Sequence, residues 1–329
     1  MANISYFPPF ERAFAGMKQR LFRPFNLGKW FAIGFTAWLA MLGENGGGGS
    51  SFSSFPDGKS HSGGPDFSAA GHFIREHLAI IISIAVVVFI IVFVLSVVLA
   101  WLRARGVFMF LDNIILDRAQ VSEPWHEYRR EGNSLFWWSF VFGWITFFIF
   151  LAILALGLAI ALPAIRHHHF DFHAGIALAV TLPLVILFLL VVSVIYLLLE
   201  DFVVPIMWKH RVTATESWRI WRRLTAGNGL CFVPYFLVRF LFSTIAGVLT
   251  LVTGICTCCC AFFLLAVPVV NAALLLPISA TFRLYSLEFL RQFGSDGDCL
   301  ATPAPPDLPP STGAPLVVPP LPAMPQATV

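Results

Sequence analysis

Charge is scarce in this chain: Asp, Glu, Lys and Arg make up 12% of 329 residues and hydrophobic residues 58%, against roughly 45 to 50% apolar in soluble domains. That composition excludes an ordinary soluble globular domain. The interiors of the long apolar runs lack Asp and Glu, which argues against a proton relay across a bilayer. Gly46 to Gly49 are not followed by Lys-Ser or Lys-Thr at a helix entry, so a phosphate cradle is excluded and a flexible linker is expected. No cleavable signal peptide is expected, because the chain opens with mixed residues and no small-residue cleavage site follows the first apolar core. Nothing in the composition points to nucleic acid, and no cofactor motif is present.

What is present is a set of apolar runs long enough to cross the hydrocarbon core as helices, which takes about 20 residues. Residues Ile80 to Leu102, Leu135 to Leu162, Ala174 to Leu199, Leu230 to Ile255 and Ala261 to Phe282 qualify. Trp30 to Leu42 is shorter, and reaches across only if Lys29 snorkels and the helix starts near Phe25; a re-entrant or surface helix is the alternative. Basic residues decide between them, since cytoplasmic loops collect Lys and Arg. Arg12, Lys18, Arg20, Arg23 and Lys29 precede the first run, Arg103 to Arg130 separate the second and third, and Lys209 to Arg223 separate the fourth and fifth. These three regions share one side only if Trp30 to Leu42 crosses. The expectation is therefore an all-α membrane protein with six spans and both termini cytoplasmic. It divides into a membrane domain over 1–292, with an external Gly/Ser-rich loop over 43–77, and a disordered Pro-rich tail over 293–329.

A motif occurs twice, each time before a rising span. Ser122-Glu-Pro-Trp-His-Glu-Tyr-Arg-Arg130 leads to Gly132-Asn133, and Thr215-Glu-Ser-Trp-Arg-Ile-Trp-Arg-Arg223 leads to Gly227-Asn228. At 100° per residue, Trp218, Trp221 and Leu224 share one face and Arg219, Arg222 and Arg223 the other; Trp125 and Tyr128 likewise oppose Arg129 and Arg130. This phase predicts short basic amphipathic helices at the interface. Thr213 with Glu216 fits a capping box, and Gly132 and Gly227 are expected to stop the helices. A looser third example, with a stripe of Phe10, Phe14, Met17 and Leu21, precedes the first span and ends at Pro24. The pattern predicts interfacial helices before spans 1, 3 and 5 and a parallel hairpin repeat.

Glu200-Asp-Phe-Val-Val-Pro205-Ile-Met207, the Trp218 helix, Gly227 and Asn228 resemble multi-pass bacterial and archaeal proteins related to the membrane domain of glycerophosphodiester phosphodiesterases. Phe7 to Phe14 and Leu21 to Trp30, with Gly46 to Gly49, resemble a bacterial subgroup of unknown function within that set, which implies a bacterial cytoplasmic membrane. In the phosphodiesterases, chemistry belongs to a separate soluble barrel of about 250 residues. The resemblance therefore implies a membrane fold here and no catalytic activity.

Four features are candidates for function. Arg239 is the one clearly ionisable residue within a span, where it pairs with helix carbonyls or Asn271, reaches a water-filled pocket, or lines a path for an anionic ligand or lipid headgroup; Pro183, Pro234, Pro268 and Pro277 are expected to kink their helices. Glu200 and Asp201 end the fourth span and are expected to pair with loop arginines rather than serve as acid and base. His167, His168, His169 and His173, with Cys256, Cys258, Cys259 and Cys260, fall in external loops; together they could hold copper or zinc, but the cysteines lack the separated pairs of a structural zinc site. Arg129, Arg130, Arg219, Arg222 and Arg223 could bind anionic lipid, each contributing about 1 kcal/mol near a charged surface. The leading expectation is a non-catalytic scaffold or accessory factor on anionic lipid, and the second a transporter or lipid-translocating protein built on Arg239. The Pro-rich segment from Pro303 to Pro325 either extends as disordered chain or docks in a cytoplasmic partner's aromatic groove.

Overall fold

The computed structural model describes residues 4–23, 25–42, 78–166, 172–227, 229–256 and 267–300, and over these it is helical with no strand. The helices are α1 (Phe7–Phe22), α2 (Leu27–Ala40), α3 (Leu78–Ile115), α4 (Ser122–Glu127), α5 (Arg129–Arg166), α6 (Phe172–Leu198), α7 (Val204–His210), α8 (Ala214–Leu224), α9 (Phe232–Cys256), α10 (Pro268–Leu274) and α11 (Leu276–Leu290). A π-helical turn, Leu199–Val203, joins α6 to α7.

Four stretches are long and apolar enough to cross a membrane: Ile82–Ile115, Arg129–Leu162, Leu178–His210 and Gly229–Cys256. The protein is thus an integral membrane protein by its helices. Burial is confined to one end of them. Ala104 to Leu111 of α3, Phe202 to Trp208 around α7, and Leu284 to Leu290 of α11 are buried in a common base with Met17, Ile33, Tyr128 and Tyr235. Beyond the base the same helices turn apolar side chains outward, as at Phe89, Phe148, Leu187 and Leu249. A water-soluble fold could not leave so continuous an apolar surface uncovered; lipid is the solvent it fits.

The other two expected spans are not among these four. α2 has 14 residues, about 21 Å of helix against a hydrocarbon core of about 30 Å. It lies beside the C-terminal part of α3, from Arg103 onward. Lys29 Nζ meets Asp117 at 2.8 Å, Arg103 Nε donates to the Ala40 carbonyl at 3.2 Å, and Leu39 lies against Gly106, where a Cβ would come within 2.6 Å. The last apolar run is broken at Leu275 into α10 and α11. Pro277 has no N–H for the Ala273 carbonyl, and the Trp30 indole N–H supplies that bond at 2.9 Å. Of the four prolines expected to kink helices, Pro183 lies inside α6, Pro234 is in the first turn of α9, and Pro268 and Pro277 begin α10 and α11.

Helix ends also differ from expectation. Gly132 does not stop a helix; Tyr128 breaks the chain, and α5 restarts at Arg129 and runs 38 residues through Gly132. The glycine admits a close neighbour instead, since a Cβ there would sit 3.0 Å from Arg105 Cγ. Gly227 does take the left-handed conformation, with φ of 87°, after the capping box of Thr213 and Glu216 starts α8. On α1 the buried face is Pro9, Ala13, Met17 and Leu21, whereas Phe14 faces out beneath the Lys18 ammonium. Packing on the base continues past 292: Phe293 stacks on Phe232, Lys209 Nζ donates to the Asp298 carbonyl at 2.8 Å, and Cys299 is buried against Pro205. Residues 43–77 and 301–329 lie outside the described residues.

Candidate functional site

Where α6 meets the base, Pro205 cannot donate to a carbonyl in the preceding turn, and the helix widens into the π turn that carries Glu200 and Asp201. The Arg283 guanidinium caps the Glu200 carbonyl at 2.6 Å. Glu200 itself pairs with Arg103. Asp201, 3% exposed, accepts Tyr235 Oη–H at 2.9 Å and Arg239 Nε at 3.1 Å. Three guanidiniums and two carboxylates therefore meet in one layer, drawn from α3, the π turn, α9 and α11.

Arg239 thus has an acidic partner in the bundle, contrary to the expectation that it would bond to carbonyls or Asn271. Its register explains this: Phe232, Tyr235 and Val238 in the first turns of α9 are buried in the base, so Arg239 stands where the base meets the apolar layer, level with Asp201. Likewise Asp201 pairs with a span arginine and not a loop arginine, and Arg103 sits within α3. Asn271 is in α10 with its side-chain oxygen buried and without a partner. A cavity of about 220 Å³ borders Glu200, Asp201, Arg239, Phe282 and Arg283. Arg239 Cζ lies 5.1 Å from the Phe282 ring centre, and its Nη1 is buried without a hydrogen bond.

A second polar centre was missed in the sequence because Asp112 looked like a loop residue, whereas α3 runs on to Ile115. Fully buried, its carboxylate accepts Tyr128 Oη–H at 2.8 Å, Trp208 Nε1–H at 3.1 Å and Arg118 Nε–H at 3.0 Å. Burial and the Asp112 charge push the Tyr128 hydroxyl far above the ordinary tyrosine range, which keeps it a donor. The aromatic position of the first motif copy is thereby tied to the base.

The two motif copies come together in space. Ala214 N–H donates to Ser134 Oγ at 3.1 Å, Trp138 stacks on Trp218 with centroids 5.8 Å apart, and Arg211 pairs with Glu127 while lying 4.0 Å from the Tyr128 ring centre. Trp218 and Trp221 pack against the core. Arg129, Arg130, Arg219, Arg222 and Arg223 are all exposed, and none is in an ion pair among the described residues. By contrast, Arg103, Arg118, Arg211, Arg239 and Arg291 each have a carboxylate.

The His and Cys candidates fall mostly outside the described residues, namely His167, His168, His169, Cys258, Cys259 and Cys260, as does Asn228 of the motif. Cys256 is exposed at the end of α9, and His173 lies in the first turn of α6. Among the described residues no group of three or more His, Cys, Asp or Glu could hold a metal.

Neither the curated proteins nor the solved structures include a match to this chain. One family model covers residues 8–290, which takes in both motif copies, the π turn and the charged layer. The chain belongs to that family, a family of unknown function (DUF7544).

Proposed function

We propose that the protein is a non-catalytic membrane scaffold or accessory factor whose inner face engages anionic lipids. The observation that carries this reading is the contrast among the arginines: the five of the paired motif are exposed and, among the described residues, in no ion pair, while Arg103, Arg118 and Arg239 of the base are matched to carboxylates. Unmatched guanidiniums beside apolar helices suit a leaflet of phosphate headgroups. In this reading α1, α4 with the first turn of α5, and α8 are the interfacial helices, and the second and third belong to a parallel repeat. α1 and α11 share one end of the molecule, while Leu78 of α3 and Cys256 of α9 lie toward the other; this favours an even number of crossings with both termini on one side, which the basic segments assign to the cytoplasm. The Pro-rich tail is then available to a cytoplasmic partner.

Purification from native membrane in mild detergent, with quantification of retained phospholipid, tests the reading. Replacing the five arginines by Gln should strip anionic lipid selectively, and replacing them by Lys should retain it. Equal retention in all three proteins would remove the proposal.

The cavity at Arg239 favours a second reading, a lipid-translocating or transport protein, because it places an incompletely bonded guanidinium beside open space. A dithionite assay of fluorescent phospholipid in reconstituted vesicles addresses it; flip rates equal to protein-free vesicles would discard it.

A further inference from the structure

Of the three guanidiniums in the charged layer, two have a carboxylate: Arg103 pairs with Glu200 and Arg239 with Asp201. Arg283, among the described residues, is in no ion pair; its Nη1 donates to the backbone carbonyl of Glu200 at 2.6 Å. A guanidinium carries five N–H donors, so that bond leaves most of them over. Asp201 is within electrostatic reach of Arg283, but its carboxylate is already taken by Tyr235 and Arg239. Arg283 and Arg239 border the same cavity of about 220 Å³, and Arg239 Nη1 is buried without a hydrogen bond. The cavity is thus flanked by a positive charge lacking its counter-charge and by a buried donor lacking its acceptor.

Water in the cavity would satisfy the donor and leave the charge unmatched. An anion answers both, through charge-assisted bonds that are shorter and stronger than neutral ones. The volume falls below the roughly 300 to 1,000 Å³ of drug-sized ligand sites, so the occupant is small. Glu200 and Asp201 also border the cavity, which opposes a second negative charge. Phe110, Ile278 and Phe282 supply apolar wall.

We propose that this cavity is a binding site for one small, singly charged oxyanion, held between Arg239 Nη1 and the remaining N–H groups of Arg283. A phosphodiester has that chemistry, either as a free anion or as the headgroup phosphate of a lipid. The site shares its cavity with the transport reading but requires no movement of the ligand, and it does not use the motif arginines. Ser279 gives a means of closing it without touching a charge: it lines the cavity, and its hydroxyl bonds only the Leu275 and Leu276 carbonyls of its own helix.

The full chain with Gln at all five motif arginines is purified in a neutral maltoside detergent, and its unfolding midpoint is followed as dimethyl phosphate is added, against equal additions of chloride. The midpoint should rise saturably with dimethyl phosphate, and neither chloride nor the neutral trimethyl phosphate should reproduce the rise. Arg283→Gln should weaken binding about tenfold or more. Ser279→Leu should abolish it with every charge retained, and decides the matter if Arg283→Gln fails to fold. Glu200→Gln breaks an ion pair yet should tighten binding, because it removes a negative charge from the cavity; a structural role alone would not move binding in that direction. Dihexanoyl phosphatidylglycerol, run in parallel, separates the two sources: tighter binding than dimethyl phosphate, lost on the same substitutions, assigns the site to lipid, and no gain assigns it to a free anion. No saturable rise, an equal rise with chloride or trimethyl phosphate, or a rise that survives Ser279→Leu would overturn the proposal.

Discussion

The Asp201–Arg239 pair gives the sharpest test of how the base is held together. The side chains are 3% and 22% exposed, so solvent screens the pair only weakly. Removing one partner of such a pair leaves an uncompensated charge and costs about 3 to 5 kcal/mol. Asp201→Asn strands Arg239, whose Nη1 is already without a hydrogen bond; Arg239→Met leaves Asp201 with the Tyr235 hydroxyl as its donor and the Arg283 charge nearby. Each single variant is expected near the lower bound, about 3 kcal/mol, because the neighbouring Arg283 and Tyr235 remain. The double variant removes both charges, and should lose less than the sum by about 1 to 3 kcal/mol, as contacting residues do. Unfolding in mixed micelles titrated with a denaturing detergent measures all four proteins. Additive losses, or a stable Asp201→Asn variant, would refute the claim that the pair is formed and shielded.

Gly106→Ala would press a methyl group into the α2 backbone at Leu39 and should cost about 1 to 3 kcal/mol in the same unfolding assay, whereas Gly247→Ala, with nothing within 4 Å, should not destabilise. Thr213→Ala removes the capping box of α8 and should lower stability by about 0.5 to 2 kcal/mol, read as a shift in the unfolding midpoint. Burial pushes the Cys299 thiol up to about 12. The folded chain therefore favours the neutral thiol, so this contribution to stability is present at neutral pH and is lost as pH rises from the unfolded thiol value toward 12. In a variant with Cys299 as its sole cysteine, alkylation at pH 8 should be slow when folded and fast when denatured; equal rates would contradict the burial.

Local features were the legible ones. The spacing of Trp218, Trp221 and the arginines set the face of α8, and Thr213 with Glu216 marked its start, because both depend on residues within a few positions. The partner of Arg239 was not legible. It depends on how far α9 extends into the base relative to the π turn, and neither helix fixes that offset by itself. Asp112 was overlooked for a related reason: Arg103 and Arg105 looked like the end of a span, yet α3 continues because the base buries its inner turns. Trp30 to Leu42 had the composition of a membrane segment, but composition does not distinguish a helix beside lipid from one packed against Gly106. Gly132 illustrates the same limit, since a glycine can end a helix or admit a neighbour, and here Arg105 is the neighbour.

The central claim is that the paired motif recognises anionic lipid through its unmatched arginines. Trp125, Trp218 and Trp221 lie on the motif helices, so quenching of tryptophan fluorescence by brominated lipids reports association near this surface. In vesicles of mixed composition at low ionic strength, the account predicts stronger quenching by brominated phosphatidylglycerol than by brominated phosphatidylcholine. That preference should vanish when Arg129, Arg130, Arg219, Arg222 and Arg223 are replaced by Gln. An equal preference before and after the substitution would contradict it.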